Sequence, residues 1–426
     1  MKKKLFSCLM ATAMLATLFT GCGAGKGEDA KGSVYYLNFK PEADAAWQKL
    51  AKAYTEETGV EVKVVTAAEG KYEETLKAEI DKKDAPTIFQ ISGAVGYEKW
   101  KEYCEDLSGT KIYGELTSDD FAIKSGNGVY GIAYVYEGYG LITNKALLKK
   151  AGYEMSDIKD YASLEKVCKD ITSKKDTLGF SAFTSAGLDG SSSWRFSGHL
   201  ANLPLYYEFK DDNVNSQPAT IKGKYLDNFK KLWDLYIENA AVAKGDNVPA
   251  TGDDAVAEFK EQKAVFYQNG TWAYNDIKAI GDENIGYLPI YFGVDDAKEG
   301  LSCGTENYWA VNSTASEADK KATLDFLYWV ATSDKGTTAL AADMGFVSPF
   351  KAAKPVANVL CNCMNEYVAN GCYNVSWAFN YTPNTEEWRK PVVSALSAYT
   401  AGTGKWDDVK TAFVDGWATQ YEKEHK

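Results

Sequence analysis

The chain has 426 residues, 45% of them hydrophobic and 25% charged, which places it among globular proteins with material for two to three domains. Its formal net charge is −12, or −15 once the three lysines Lys2, Lys3 and Lys4 are subtracted. A surface this acidic repels phosphate backbones and anionic lipid, which argues against nucleic acid or a membrane face as partner and favours a neutral or cationic ligand.

The N-terminus, MKKKLFSCLMATAMLATLFTGC, joins a basic start to a mostly apolar stretch from Leu5 to Phe19. It reads as an export signal over residues 1–21, too short and too rich in Ser and Thr for a membrane span. Its end, Phe19-Thr20-Gly21-Cys22, resembles the bacterial lipobox, with Phe19 standing where the pattern favours Leu. That resemblance implies cleavage before Cys22 and acylation of its thiol, the alternative being ordinary cleavage to a free protein. Residues 22–32 then read as a flexible tether with a mean reach on the order of 17 Å. No later segment has the roughly 18 apolar residues that a membrane-spanning helix requires. The expected location is outside the cell membrane, anchored by lipid alone.

From Ser33 strands alternate with helices. VYYLNF (34–39) predicts a strand, and DAAWQKLAKAYTEET a helix with Trp47, Leu50, Ala51 and Tyr54 on one face and Gly59 as its stop. VEVKVV (60–65) predicts the next strand, KYEETLKAEIDKK a second helix, and TIFQI (87–91) a buried strand. This order implies right-handed crossovers and a parallel sheet, with ligands at the carboxyl ends of the strands, here 39–42 and 90–93. The segment 128–153 is rich in Gly and Tyr and turns helical near Lys145. Mixed helices lead to the strand AVFYQ (264–268), followed by an Asn269-Gly270 turn signal and Trp272. IGYLPIYFG (285–293) and ENYWAVN (306–312) are extended, ADKKATLDFLYWVAT is an amphipathic helix, and the chain from about Phe350 is helical. No short-period repeat or glycine-rich phosphate loop occurs, so neither a solenoid nor an ATPase is expected.

Beyond Cys8 and Cys22, six cysteines remain: Cys104, Cys168, Cys303, Cys361, Cys363 and Cys372. An exported chain permits disulfides, but six cysteines allow fifteen complete pairings and the spacing selects none. Only His199 and His425 are present, so a structural role for the thiols is favoured over zinc, and neither metal nor cofactor is expected.

The pieces NGTWAYNDI (269–277), ENYWAVNS (306–313), GVYGIAYVYEGYGLITNKALL (128–148) and the last helix pair, in this order and spacing, resemble the extracellular solute-binding proteins of bacterial ABC importers, in their carbohydrate-binding, maltodextrin-like branch. The resemblance runs from about residue 33 to 426. It implies an α/β fold of two lobes joined by several crossings, with a sugar in the cleft between them. The crossings are expected near 136–141, 287–293 and 348–350. One lobe is then 33–136 plus 294–349, the other 141–286 plus 351–426, with closure by hinge rotation. The implied partners are a permease and a separate ATPase, and a monomer is expected.

In this family the tryptophan of the Asn-Gly-x-Trp motif lines the cleft, which gives Trp272 a task. A flat indole covers the C–H face of a pyranose and leaves its hydroxyl rim free, and Asn269 shapes the presenting turn. Trp194 and Arg195 follow a Ser-rich loop as a second stacking and donor pair, the alternative being a helix core face with a structural Arg. His199, one turn on, reads as structural. Glu42, Gln90 and Ser92 lie at strand ends, Glu137 on the first crossing, and Glu306 and Asn307 at a strand start; all suit hydroxyl recognition. Trp377 is a further wall candidate, with helix contact as its alternative. The leading function is capture of a sugar or short oligosaccharide for delivery to an ABC permease. The alternatives are an exported glycoside hydrolase, which needs two carboxylates flanking the bond, and a binding protein for another polar solute.

Overall fold

A computed structural model describes residues 31–426; the expected export signal, Cys22 and most of the expected tether lie outside the described residues. Two six-stranded sheets carry the fold. In chain order the strands are β1 Val34–Asn38, β2 Val62–Thr66, β3 Ile88–Ser92, β4 Ala122–Ser125, β5 Gly128–Ala133, β6 Glu137–Asn144, β7 Ser181–Phe183, β8 Ala264–Gly270, β9 Ile285–Leu288, β10 Glu299–Gly304, β11 Asn307–Val311 and β12 Tyr373–Ser376. The first sheet runs β2-β1-β3-β11-β5-β4, and the second β12-β10-β6-β8-β7 with β9 on β6.

The first sheet is covered on both faces, which explains why β1 is buried at every position. Alternate side chains go opposite ways. Val34 and Tyr36 join Trp47, Phe326 and Trp309, while Tyr35 and Leu37 join Leu76, Phe89 and Trp100. The helix Asp44–Thr58 buries the expected Trp47, Leu50, Ala51 and Tyr54, and ends where Gly59 takes φ +72° and its N–H bonds back to Thr55. β1 pairs in parallel with β2 and β3, as the alternation predicts. β11 enters antiparallel between β3 and β5, so its amino end lies beside the carboxyl ends of β1 and β3.

Two expected crossings are displaced. Residues 287–293 stay within the second lobe: β9 pairs with β6, and Tyr291 and Phe292 are in that lobe's core. The chain then adds β10 to the same sheet, Gly304 opposite Glu137, so the passage to the first lobe occurs at 305–306. The expected boundary at 293/294 is therefore about a dozen residues early. β10 is buried at every position but its last, without the alternation that marks a half-exposed strand. The third passage comes later than 348–350: Phe350 is in the first lobe's core, and Lys351 N–H bonds to Glu115. Asn358 then caps the helix Val359–Ala369 and donates to Thr271 of the second lobe at 2.8 Å.

The Asn269-Gly270 pair is the end of β8 rather than a turn, because its backbone still pairs with Gly140 and Tyr139. Gly270 is required for another reason: a Cβ there would overlap the Trp272 ring folded over it. All six cysteines of the described residues are free thiols, four of them buried. Gly270→Ala should lower stability by about 1–3 kcal/mol through overpacking and change the tryptophan fluorescence as the indole is displaced; a denaturant titration superimposing on wild type would refute this packing.

Candidate functional site

The carboxyl ends of β1, β2 and β3 and the start of β11 meet the second lobe along one seam. Buried Asn38 shapes the turn after β1, accepting from Lys40 N–H at 3.1 Å and donating to Lys40 carbonyl at 2.8 Å. This turn delivers the Lys40 ammonium, 2.8 Å from Glu137 Oε1 and 3.4 Å from Glu42 Oε1. It also stands 5.4 Å from the centroid of the Trp272 ring, a cation–π arrangement that links the lobes. Burial works against the Lys40 charge, but Glu137 and Glu42 outweigh it and hold the pKa above its ordinary value. Burial raises the Glu137 carboxyl, with Lys40 opposing.

Trp272 is half-buried, packed on second-lobe cores and facing Lys40, so it is not sealed within one lobe. Trp194 lies 5.8 Å from it at 49°, also half-buried, and donates its indole N–H to Glu69 of the first lobe at 2.8 Å. His199 completes the group, its ring stacked on Tyr139 at 4.3 Å and 5.4 Å from Trp272. Trp377 stands 5.0 Å from His199 and packs so closely on Gly304 that a Cβ there would come within 2.7 Å of the indole. An opening between the lobes, with a cavity volume of about 1190 Å³, lies toward β4; Trp377, Tyr308, Tyr381 and Phe121 line it and Trp272 does not.

The sequence-predicted residues divide accordingly. The structure brings together Trp272, Trp194, Glu42, Glu137 and Trp377, with Glu306 electrostatically coupled to Lys40. Arg195 is a correction: it is 1% exposed, and its guanidinium donates to Ser192 Oγ, Gln268 carbonyl and Ala186 carbonyl at 2.8, 3.1 and 2.6 Å. Neighbours on a helical turn point in different directions, and Trp194 holds the outward one. Gln90 is likewise consumed, accepting from Phe39 N–H at 2.5 Å and donating to Tyr134 hydroxyl. It shapes the Lys40 turn rather than offering a free amide. Asn269 is buried and acts beneath Trp272, accepting from Gly270 N–H at 2.8 Å. Ser92 and Asn307 are paired neighbours on β3 and β11.

Lys40, Glu69 and His199 were not singled out from the sequence as ligand contacts. Glu69 was accessible to the same rule that found 39–42 and 90–93, because it follows β2. Lys40 depends on a partner 97 residues away, which no local pattern reveals. Among the described residues no group of three or more His, Cys, Asp or Glu side chains is arranged to hold a metal.

Glu306 is half-buried in the passage between lobes, and burial raises its carboxyl to about 7, with Lys40 and Arg389 opposing and Glu137 and Glu386 adding. An acid whose folded pKa lies above its unfolded value of 4.5 holds its proton through that window. Its destabilising ionisation is absent below the window and complete above it. Glu306→Gln should therefore raise the melting temperature at pH 8 and leave it near wild type at pH 4.5. Equal shifts at both pH values would contradict the assignment. Burial holds the His199 imidazole neutral, well below 6.5, which gives the opposite slope: stability falls as pH drops below the unfolded value.

Comparison with known proteins bears on the family and the fold. The family model for bacterial extracellular solute-binding proteins matches residues 49–360. The chain is 24% identical over 291 residues to a multiple sugar-binding protein of Streptococcus mutans, an alignment covering 65% of this chain and 66% of that relative. Among solved structures, the binding protein RafE in complex with raffinose superposes with a TM-score of 0.73 at 18% identity, covering 92% of this chain and 100% of that one. Maltose-bound T. maritima MalE3 gives 0.69 at 15% identity with 92% and 99% covered. A Bacillus licheniformis sugar transporter with stachyose gives 0.70 at 16% with 91% and 99% covered. These likenesses establish the two-lobed binding-protein fold, and the chain belongs to the family of bacterial extracellular solute-binding proteins.

Proposed function

We propose that this protein captures a sugar or short oligosaccharide between its lobes and delivers it to a membrane permease driven by a separate ATPase. The observation that carries this reading is the pairing of two half-buried indoles, Trp272 and Trp194, on the second lobe with the polar groups Glu42, Glu69 and Glu306 on the first. Stacked rings supply contact area at low entropic cost, and carboxylates accept from hydroxyls, so one ligand touching both halves favours their approach. The relatives are sugar-binding by name or hold raffinose, maltose or stachyose, which supports a saccharide over other polar solutes.

The protein acts as a binder rather than an enzyme in this reading. It is exported and held at the outer face of the cell membrane through a lipid on Cys22, working as a monomer. Among the described residues no helix is long and apolar enough to cross a membrane, which is consistent with attachment through lipid. Mass spectrometry of the membrane-extracted protein should find a diacylglyceryl-modified Cys22; an unmodified N-terminus elsewhere would refute the anchor.

Calorimetry against raffinose, stachyose and maltose should find at least one ligand. Trp272→Ala should weaken its binding by roughly 2–4 kcal/mol, while the apo melting temperature falls much less than for Trp47→Ala, whose ring is fully buried. Unchanged affinity would remove Trp272 from the site. Release of shortened sugars on incubation would replace the binder with a hydrolase.

A further inference from the structure

Of the nine buried side-chain polar atoms without a hydrogen-bond partner among the described residues, three belong to one small region of the second lobe. His199 Nδ1, Trp377 Nε1 and Asn380 Oδ1 are all buried and make no hydrogen bond. The His199 and Trp377 rings are 5.0 Å apart, and Asn380 N–H bonds to the Trp377 carbonyl at 3.2 Å. An unmade hydrogen bond at a buried atom costs about 1–3 kcal/mol, and native proteins leave few. An aromatic cage alone would be better filled by Leu or Phe.

His199 is 4% exposed and sits at the centre of that cage, touching Tyr139, Trp194, Trp272, Trp377 and Phe379. It therefore borders both half-buried indoles of the candidate site. Its backbone is a π-helical turn, Arg195–Leu200, a conformation that recurs at functional sites because it sacrifices regular hydrogen bonding to aim side chains. Ser197 of the same turn accepts from Arg389 Nε at 2.9 Å, which brings a second-lobe cation beside it.

We propose that His199 is a ligand contact at the floor of the saccharide site, where its imidazole, with the Trp377 indole N–H, hydrogen-bonds the hydroxyls of one uncharged sugar ring. This inference rests on the reading of Trp272 as a sugar platform. A neutral imidazole offers one acceptor and one donor, and the indole one donor. That set matches hydroxyls, which both give and accept. The cations that bear on His199, Arg389 and Lys40, oppose a protonated amine in the same position.

The test uses raffinose, stachyose and maltose on the full chain, with wild type, His199→Phe, Trp377→Phe and Trp272→Ala compared by calorimetry at pH 7. His199→Phe keeps a flat ring and removes both nitrogens. It is expected to weaken binding of whichever of these sugars the wild type takes by about tenfold, with an apo melting temperature equal to or above wild type. Affinity within twofold of wild type, beside a Trp272→Ala variant that has lost binding, would overturn the role of His199. Unchanged affinity in Trp272→Ala, or no binding of raffinose, stachyose or maltose by wild type, would instead overturn the platform reading on which it rests. A second readout needs no variant: the imidazole nitrogen resonances in long-range 1H–15N spectra should shift on sugar saturation, and resonances that stay in place would also refute the contact.

Discussion

The Lys40–Glu137 ion pair is the interaction on which the arrangement of the site depends. Lys40 leaves the end of β1 in the first lobe, and Glu137 is the first residue of β6 in the second, so one buried contact of 2.8 Å ties both lobes at their first crossing. Removing two charges from water costs more than a surface pair returns, so this contact is a poor source of stability. Its value lies in geometry: it holds a cation above Trp272 and beneath Glu42 and Glu306.

In the proposed function the lobes divide the work of recognition. The second presents rigid rings, built on the close of β8 and on a π-helical turn, with glycine spaces at 270 and 304 that only a missing Cβ allows. The first presents charged and polar groups on the loops that follow parallel strands, where the sheet leaves its ends open to a ligand. Neither half holds the complete set. A ligand that satisfies both gains more from the lobes together than apart, which is the thermodynamic requirement for closure on binding.

Much of this was legible in the sequence because the relevant signals are local. The helix over Asp44–Thr58 was visible in the spacing of Trp47, Leu50, Ala51 and Tyr54, and the parallel sheet in the alternation of strands and helices. Trp272 stood out because polar residues close around it. The failures have one physical character: they need long-range knowledge. β10 could not be assigned to a sheet because its partners, β6 and β12, come from distant segments. Arg195 and Gln90 carry side chains suited to ligands, yet buried carbonyls and hydroxyls consume their donors. His199 read as structural, and only its unpartnered nitrogen among five aromatic rings distinguishes it.

The central claim is that an indole at the seam between two lobes is the surface on which a saccharide lies. A crystal structure of the protein grown with its tightest-binding saccharide tests this most directly. The account predicts a sugar ring with its C–H face on Trp272 and its hydroxyls reaching residues of both lobes. A saccharide bound elsewhere, with no sugar ring against the Trp272 indole, would contradict it.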